Sequence, residues 1–184
     1  MNNAKSKQIL SLILASTLLA SVAGCSKEPS EEAKSAESAS VNESAPAAYQ
    51  EGVEAYQSGK FDVAAAKFRE LAEQGDSSAQ FNLGSLYRQG QGVAQDDKQA
   101  ALWWAKAADQ GHLDAMDNLG LRYAKGEGVE PDMVQAYKWF SIASLSKNAS
   151  ATANAKFAAT QLTSEQLDQA QILAKEWMAL HPKK

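Results

Sequence analysis

From Ala48 onward apolar residues recur every three or four positions, so the chain reads as a succession of short amphipathic helices. Leu83 and Tyr87 share one helix face, and Leu119 and Tyr123 share another; each face also carries a glycine, Gly84 or Gly120. Between these segments lie others in which small residues flank a large ring: Ala100, Trp104 and Ala107, then Ala136, Phe140 and Ala143. Phe68, between Ala64 and Leu71, holds the same place upstream. Glycine inside a helix costs about 1 kcal/mol relative to alanine. Its recurrence therefore predicts that a second helix crosses close by, and the small residues around each ring predict helices that interlock.

Backbone chemistry punctuates the pattern. Gly90 and Gly126 suit the left-handed residue that closes a helix. Gly92 and Gly128 tighten the turn that follows, with Val93 and Val129 expected to plug it from above. Asp96 stands three before Gln99, and Asp132, just after Pro131, three before Gln135; both pairs are capping signals that open a second helix. A dinucleotide-binding glycine loop would need a preceding strand and a third glycine, and neither is present. After Lys147 the period fades. Residues 150–162 are Ala-rich and read as one more helix. A last one begins with Thr163 and Gln166 at capping-box spacing and carries Leu167, Ala170, Ile172, Leu173, Trp177 and Leu180.

The strongest regularity is longer. Thirty-six residues separate Ala79 from Ala115, and the same step joins Leu83 to Leu119, Gly84 to Gly120, Tyr87 to Tyr123 and Gly90 to Gly126. It also joins Gly92 to Gly128, Val93 to Val129, Ala100 to Ala136 and Trp103 to Trp139, while Trp104 becomes the still aromatic Phe140. Such a period marks a repeat architecture. The pattern A-x₃-L-G-x₂-Y-x₂-G-x-G-V followed by A-x₂-W-[WF] resembles the Sel1-like repeat, a relative of the tetratricopeptide repeat. An upstream unit (48–76) looks more like a plain tetratricopeptide repeat: Gly52 and Ala64 are twelve apart, where Gly84 and Ala100 are sixteen apart. The resemblance implies an all-α fold, an α/α solenoid of tetratricopeptide-like and Sel1-like helix pairs with a C-terminal capping helix. The expected units are a helix pair at 47–76, Sel1-like repeats at 77–111 and 113–147, and capping helices at 148–184. Terminal units of a solenoid need a polar outer face, and the last helix is the cap.

The first 46 residues follow a different pattern. Lys5 and Lys7 precede an apolar run, Ile9–Ala20, too short for the roughly 20 residues of a spanning helix. Its flanks fit a secretory leader over 1–24. Val22-Ala23-Gly24-Cys25 resembles the lipobox of bacterial lipoproteins. That resemblance implies cleavage before Cys25, lipid on its thiol and acylation of the new amino terminus. It also accounts for a lone cysteine, which in an oxidising compartment has no internal partner. Ser26 stands where an Asp signals inner-membrane retention in Gram-negative lipoproteins, so the resemblance implies the outer membrane, facing the periplasm. Residues 25–46 are rich in Ser, Glu and Ala and lack the apolar side chains a core needs. They are expected to form a tether reaching about 25 Å as a coil and at most about 70 Å extended.

Charge narrows the function. Loss of the leader removes Lys5 and Lys7 and no acid, which takes the formal charge from −4 to −6. No Lys/Arg cluster remains, so nucleic-acid binding is not expected, and membrane attachment falls to lipid. The two histidines, His112 and His181, stand in no metal-binding spacing, and no Ser-centred nucleophile motif occurs. No catalytic residue, cofactor or metal is therefore expected. Some Sel1-like proteins are linked to β-lactam binding, but those carry repeated disulfide cysteines that this chain lacks. A peptidoglycan- or β-lactam-binding cell-wall enzyme is the alternative.

The resemblance places a concave binding face on the first helix of each unit. Carried onto this chain, it comprises Tyr49, Val53 and Tyr56; Phe81, Ser85, Arg88 and Gln89; and Asp117, Leu121 and Lys125. Aromatic and apolar residues with polar tips suit a peptide segment. Tyr49, Tyr56 and Phe81 could equally pack between helices: exposure on a concave wall favours a groove, and full burial defeats it. The expected function is an envelope lipoprotein that holds a protein or peptide partner and performs no chemistry.

Overall fold

A computed structural model describes residues 47–146 and 149–182; the leader, Cys25 and the tether lie outside it. Every element among the described residues is helical. Helix α1 covers 47–57. It is followed by α2 (Phe61–Glu73), α3 (Ser77–Gln89), α4 (Asp97–Asp109), α5 (Leu113–Lys125) and α6 (Met133–Ala143). A 3-10 turn at Ser144–Ser146 leads to α7 (Ala149–Thr160) and α8 (Ser164–Leu180). Helices pack mainly on their chain neighbours, as in a solenoid of helix pairs.

The recurrent helix glycines are explained by what lies opposite them. A Cβ on Gly52 would lie 2.8 Å from the Phe68 ring, one on Gly84 2.8 Å from the Trp104 ring, and one on Gly120 2.7 Å from the Phe140 ring. Each first helix is therefore notched, and the ring of its partner helix fills the notch. All three rings are fully buried. Trp104 is also held by a hydrogen bond, its Nε1 donating to the Phe81 carbonyl at 3.1 Å. Ala64, Ala79, Ala100, Ala107, Ala115 and Ala136 have no exposed surface, so the helices approach closely along alanine seams. Truncating such a ring in a core removes about 3–5 kcal/mol of stability.

The loops act as latches between units. Gly90 and Gly126 end α3 and α5 at φ 67 and 70. Gly92 and Gly128 do more than tighten a turn. Also in the left-handed region, they lie on the start of the preceding unit's second helix: a Cβ would fall 2.6 Å from the Asp62 amide at Gly92 and 2.8 Å from the Lys98 amide at Gly128. Val93 packs into the core of the first two units. Asp96 and Asp132 then cap α4 and α6 by accepting from two backbone amides each, at 2.9–3.1 Å.

The C-terminal end breaks the pattern for a readable reason. Thirty-six residues past Ala115, Asn118 and Gly120 stand Ala151, Asn154 and Lys156. Helix α7 thus stays in register as the first helix of a further unit, and Ala151 is buried like Ala79 and Ala115. A lysine now fills the glycine position, so α7 offers no notch for a ring. Helix α8 hardly touches α7 and packs on α6 instead. There Trp177 meets Trp139 edge-on at 5.9 Å. A full capping box opens α8, Thr163 accepting from the Gln166 amide while the Gln166 side chain accepts from the Thr163 amide. Ala170 and Ala174 form its buried stripe. Ile172 and Leu180, expected on that stripe, are 54% and 78% exposed. Ile172 lies two residues past Ala170, about 200° around the helix, and Leu180 lies in the last turn, near the end of the described chain.

Candidate functional site

The first helices of three units, α1, α3 and α5, carry the expected concave positions. Six of the ten sequence-derived residues gather around one cavity of about 480 Å³: Tyr49, Val53, Tyr56, Phe81, Ser85 and Gln89. Phe68 closes its floor, and Gln57 and Asn82 add amides to its wall. No charged side chain lines it. Tyr49 is half-buried, tilted against Phe68 at 5.7 Å, and its hydroxyl accepts a hydrogen bond from Asn82 Nδ2 at 2.9 Å. Tyr56 is 39% exposed and leans edge-on against Phe61 at 5.3 Å. Phe81 is half-buried and stacks on the His112 imidazole, centroids 4.6 Å apart at 16°. The rings therefore do both things: they pack on neighbours and leave surface on the cavity.

The other four residues lie elsewhere. Arg88 is exposed and lines a polar cavity of about 590 Å³ with Gln91, Gln95, Asp97, Arg122 and Glu127, which Gln89 joins to the first. Arg122 is fully buried there and pairs with Glu127. Burial lowers the pKa of its guanidinium, with Glu127 opposing and Arg88 reinforcing that shift. Asp117 accepts from Asn154 Nδ2 at 3.0 Å. Leu121 packs against the Ala136, Phe140 and Ala158 cluster. Lys125 is exposed at the end of α5. A larger apolar cavity of about 810 Å³, walled by Leu113, Met116, Ile142, Leu145, Trp177 and Met178, contains none of the ten.

Register reveals what single-residue reading missed. Asn82, Asn118 and Asn154 are spaced by thirty-six, and the first and last donate to the preceding first helix, at Tyr49 and Asp117. Phe81, at the equivalent position, has no side-chain acceptor to offer Asn118. Phe157 stands thirty-six past Leu121 and so continues the row Val53, Ser85, Leu121; it is 60% exposed. The same offset applied beyond Lys147 would have found it. His112 stands in no capping motif of the sequence, yet its Nδ1 accepts from the Ala115 amide at 3.3 Å, making it the N-cap of α5.

Among the described residues no group of acids, cysteines or histidines could hold a metal ion, and no helix is long and apolar enough to cross a membrane. Notched helix pairs, latched by glycine loops around a ring-lined groove, define a helical-repeat interaction scaffold. The sequence model of the Sel1 repeat matches residues 77–112 and 113–148. The chain is a Sel1-like repeat protein, of a family whose fold is generally a non-catalytic scaffold. Two solved structures are similar. One is a protective antigen present in uropathogenic Escherichia coli strains that displays an SLR fold, at 39% identity and TM-score 0.70, covering 73% of this chain and 30% of that one. The other is a Sel1 repeat protein from Oxalobacter formigenes, at 32% identity and TM-score 0.58, covering 70% of this chain and 55% of that one. The chain thus spans only part of both. No curated protein matches it in sequence.

Proposed function

We propose that this protein is a lipid-anchored envelope scaffold that holds an extended peptide segment of a partner protein against the inner faces of α1, α3, α5 and α7. The observation that carries the reading is the convergence of Tyr49, Val53, Tyr56, Phe81, Ser85 and Gln89 on one cavity with no charge in its wall. Rings give contact area, and the Gln, Asn and Ser side chains can pair with a peptide backbone. Phe157 extends the apolar row beyond Leu121. The lipobox resemblance at Cys25 and the Ser26 that follows support anchoring at the outer membrane on the periplasmic side, with residues 26–46 as tether. The cell-wall enzyme alternative has no observation in its favour.

Photo-crosslinking from position 56 or 81 in cells, with Leu102 on α4 as an off-groove control, tests the groove. A partner adduct from the two groove positions alone is expected, and capture should fall on Tyr56→Ala with Phe81→Ala. Capture unchanged by both substitutions removes the groove assignment. Anchoring is tested separately: Cys25→Ala should leave the leader uncut, and lipid-free mature protein from wild type would refute the anchor.

A further inference from the structure

We propose that His112 is a proton-operated latch at the junction of the second and third repeats, through which ambient pH sets the position of the Phe81 wall. The proposal rests on the groove reading for its functional meaning and on local chemistry for its mechanism. Register supplies the comparison. Asp76, thirty-six residues before His112, caps α3 with a carboxylate that accepts from the Ala79 amide at 2.7 Å. His112 caps α5 with Nδ1, accepting from the Ala115 amide at 3.3 Å. A carboxylate oxygen accepts such a bond without depending on a tautomer. The imidazole can accept only while Nδ1 is unprotonated, so the observed cap requires the neutral ring with its proton on Nε2.

Protonation changes two contacts at once. The new Nδ1–H meets the Ala115 N–H, donor against donor, and a positive charge appears at a helix N-terminus, where the macrodipole disfavours cations. The same ring lies flat on Phe81, whose own position is tied to the core through Trp104 bonding to its carbonyl. A ring that leaves the cap cannot keep that stack unchanged. The charged groups acting on His112 are Asp114, on its own helix, and Asp76, at the start of α3; both favour the proton. Burial opposes them and dominates, holding the folded-state pKa below 6.5. With the folded value depressed, the cap's contribution is complete above 6.5 and is lost as pH falls through the folded value. The latch therefore releases in weakly acidic surroundings.

The test uses the full chain without any partner. NMR follows the His112 and Phe81 ring signals from pH 8 to pH 5, with His112→Asn giving the assignment and supplying a cap that does not titrate. The expected result is a His112 midpoint below 6.5 with the Phe81 signals moving at that midpoint. Urea titrations should then show wild type losing up to about fivefold in its folding equilibrium constant across that window, the scale of one helix cap, relative to the asparagine variant. A His112 midpoint at or above 6.5, stationary Phe81 signals, or equal losses in both proteins would overturn the latch. Because these readouts need no partner, the latch stands or falls separately from the groove, which crosslinking decides.

Discussion

Helices α5 and α7 are two copies of one idea with opposite outcomes. Both stay in register with α3, both bury the leading alanine, and residues equivalent across the repeat bond neighbouring first helices at each end of the row. Among the positions at which they differ, the one that would face a ring is Gly120 against Lys156. At Gly120 the missing side chain admits the Phe140 ring and a second helix follows. At Lys156 the notch is filled, and the next helix folds back on α6. In this solenoid every first helix that receives a ring from its partner carries the glycine notch, and α7, without the notch, receives none.

The comparison breaks most severely at the ring. Trp104→Ala should cost about 3–5 kcal/mol in urea denaturation of the full chain, since the ring is buried and its Nε1 is bonded; a loss under 1 kcal/mol would mean the notch is not the organising contact. Gly128→Ala should cost about 2–4 kcal/mol, because it places a Cβ at positive φ against backbone rather than a yielding side chain. Gly120→Ala comes next, at about 1–2 kcal/mol: overpacking against Phe140 outweighs the gain in helix propensity. Thr163→Ala should lower stability by about 1 kcal/mol through loss of the capping box. Lys156→Ala sharpens the contrast from the other side. With no ring opposed to it and its surface exposed, it should shift the melting midpoint by no more than about 0.5 kcal/mol in equivalent stability. A large effect there would place Lys156 in a contact of its own.

Most of the helical architecture was legible because the glycine–ring pairs and the alanine seams recur at fixed spacing. The ring opposite Gly84 is announced by Trp104 twenty residues later and, one period on, by Phe140 after Gly120. What was not legible has three physical sources. Ile172 counts as apolar in any periodicity, yet only packing decides which side of α8 is covered. Gly92 and Gly128 read as turn residues because a sequence does not say which backbone passes beneath a loop. His112 gave no cap signal because an imidazole caps only in one tautomer. For the groove, position within the repeat was enough to assemble six of the residues around one cavity. Asp117 was diverted by Asn154 on α7, Arg88 lines the neighbouring polar cavity, and Phe157 was hidden where the period fades.

The seating of Gly92 and Gly128 on helices that come earlier in the chain gives the molecule a polarity. Each of these two loops rests on the helix pair before it. During synthesis every new pair thus meets a finished platform, and the array can close stepwise from its amino-terminal side. Excising the opening pair would leave the Gly92 loop without its footing. Lengthening by duplication is likewise favoured only behind an existing member, which makes growth of such an array directional.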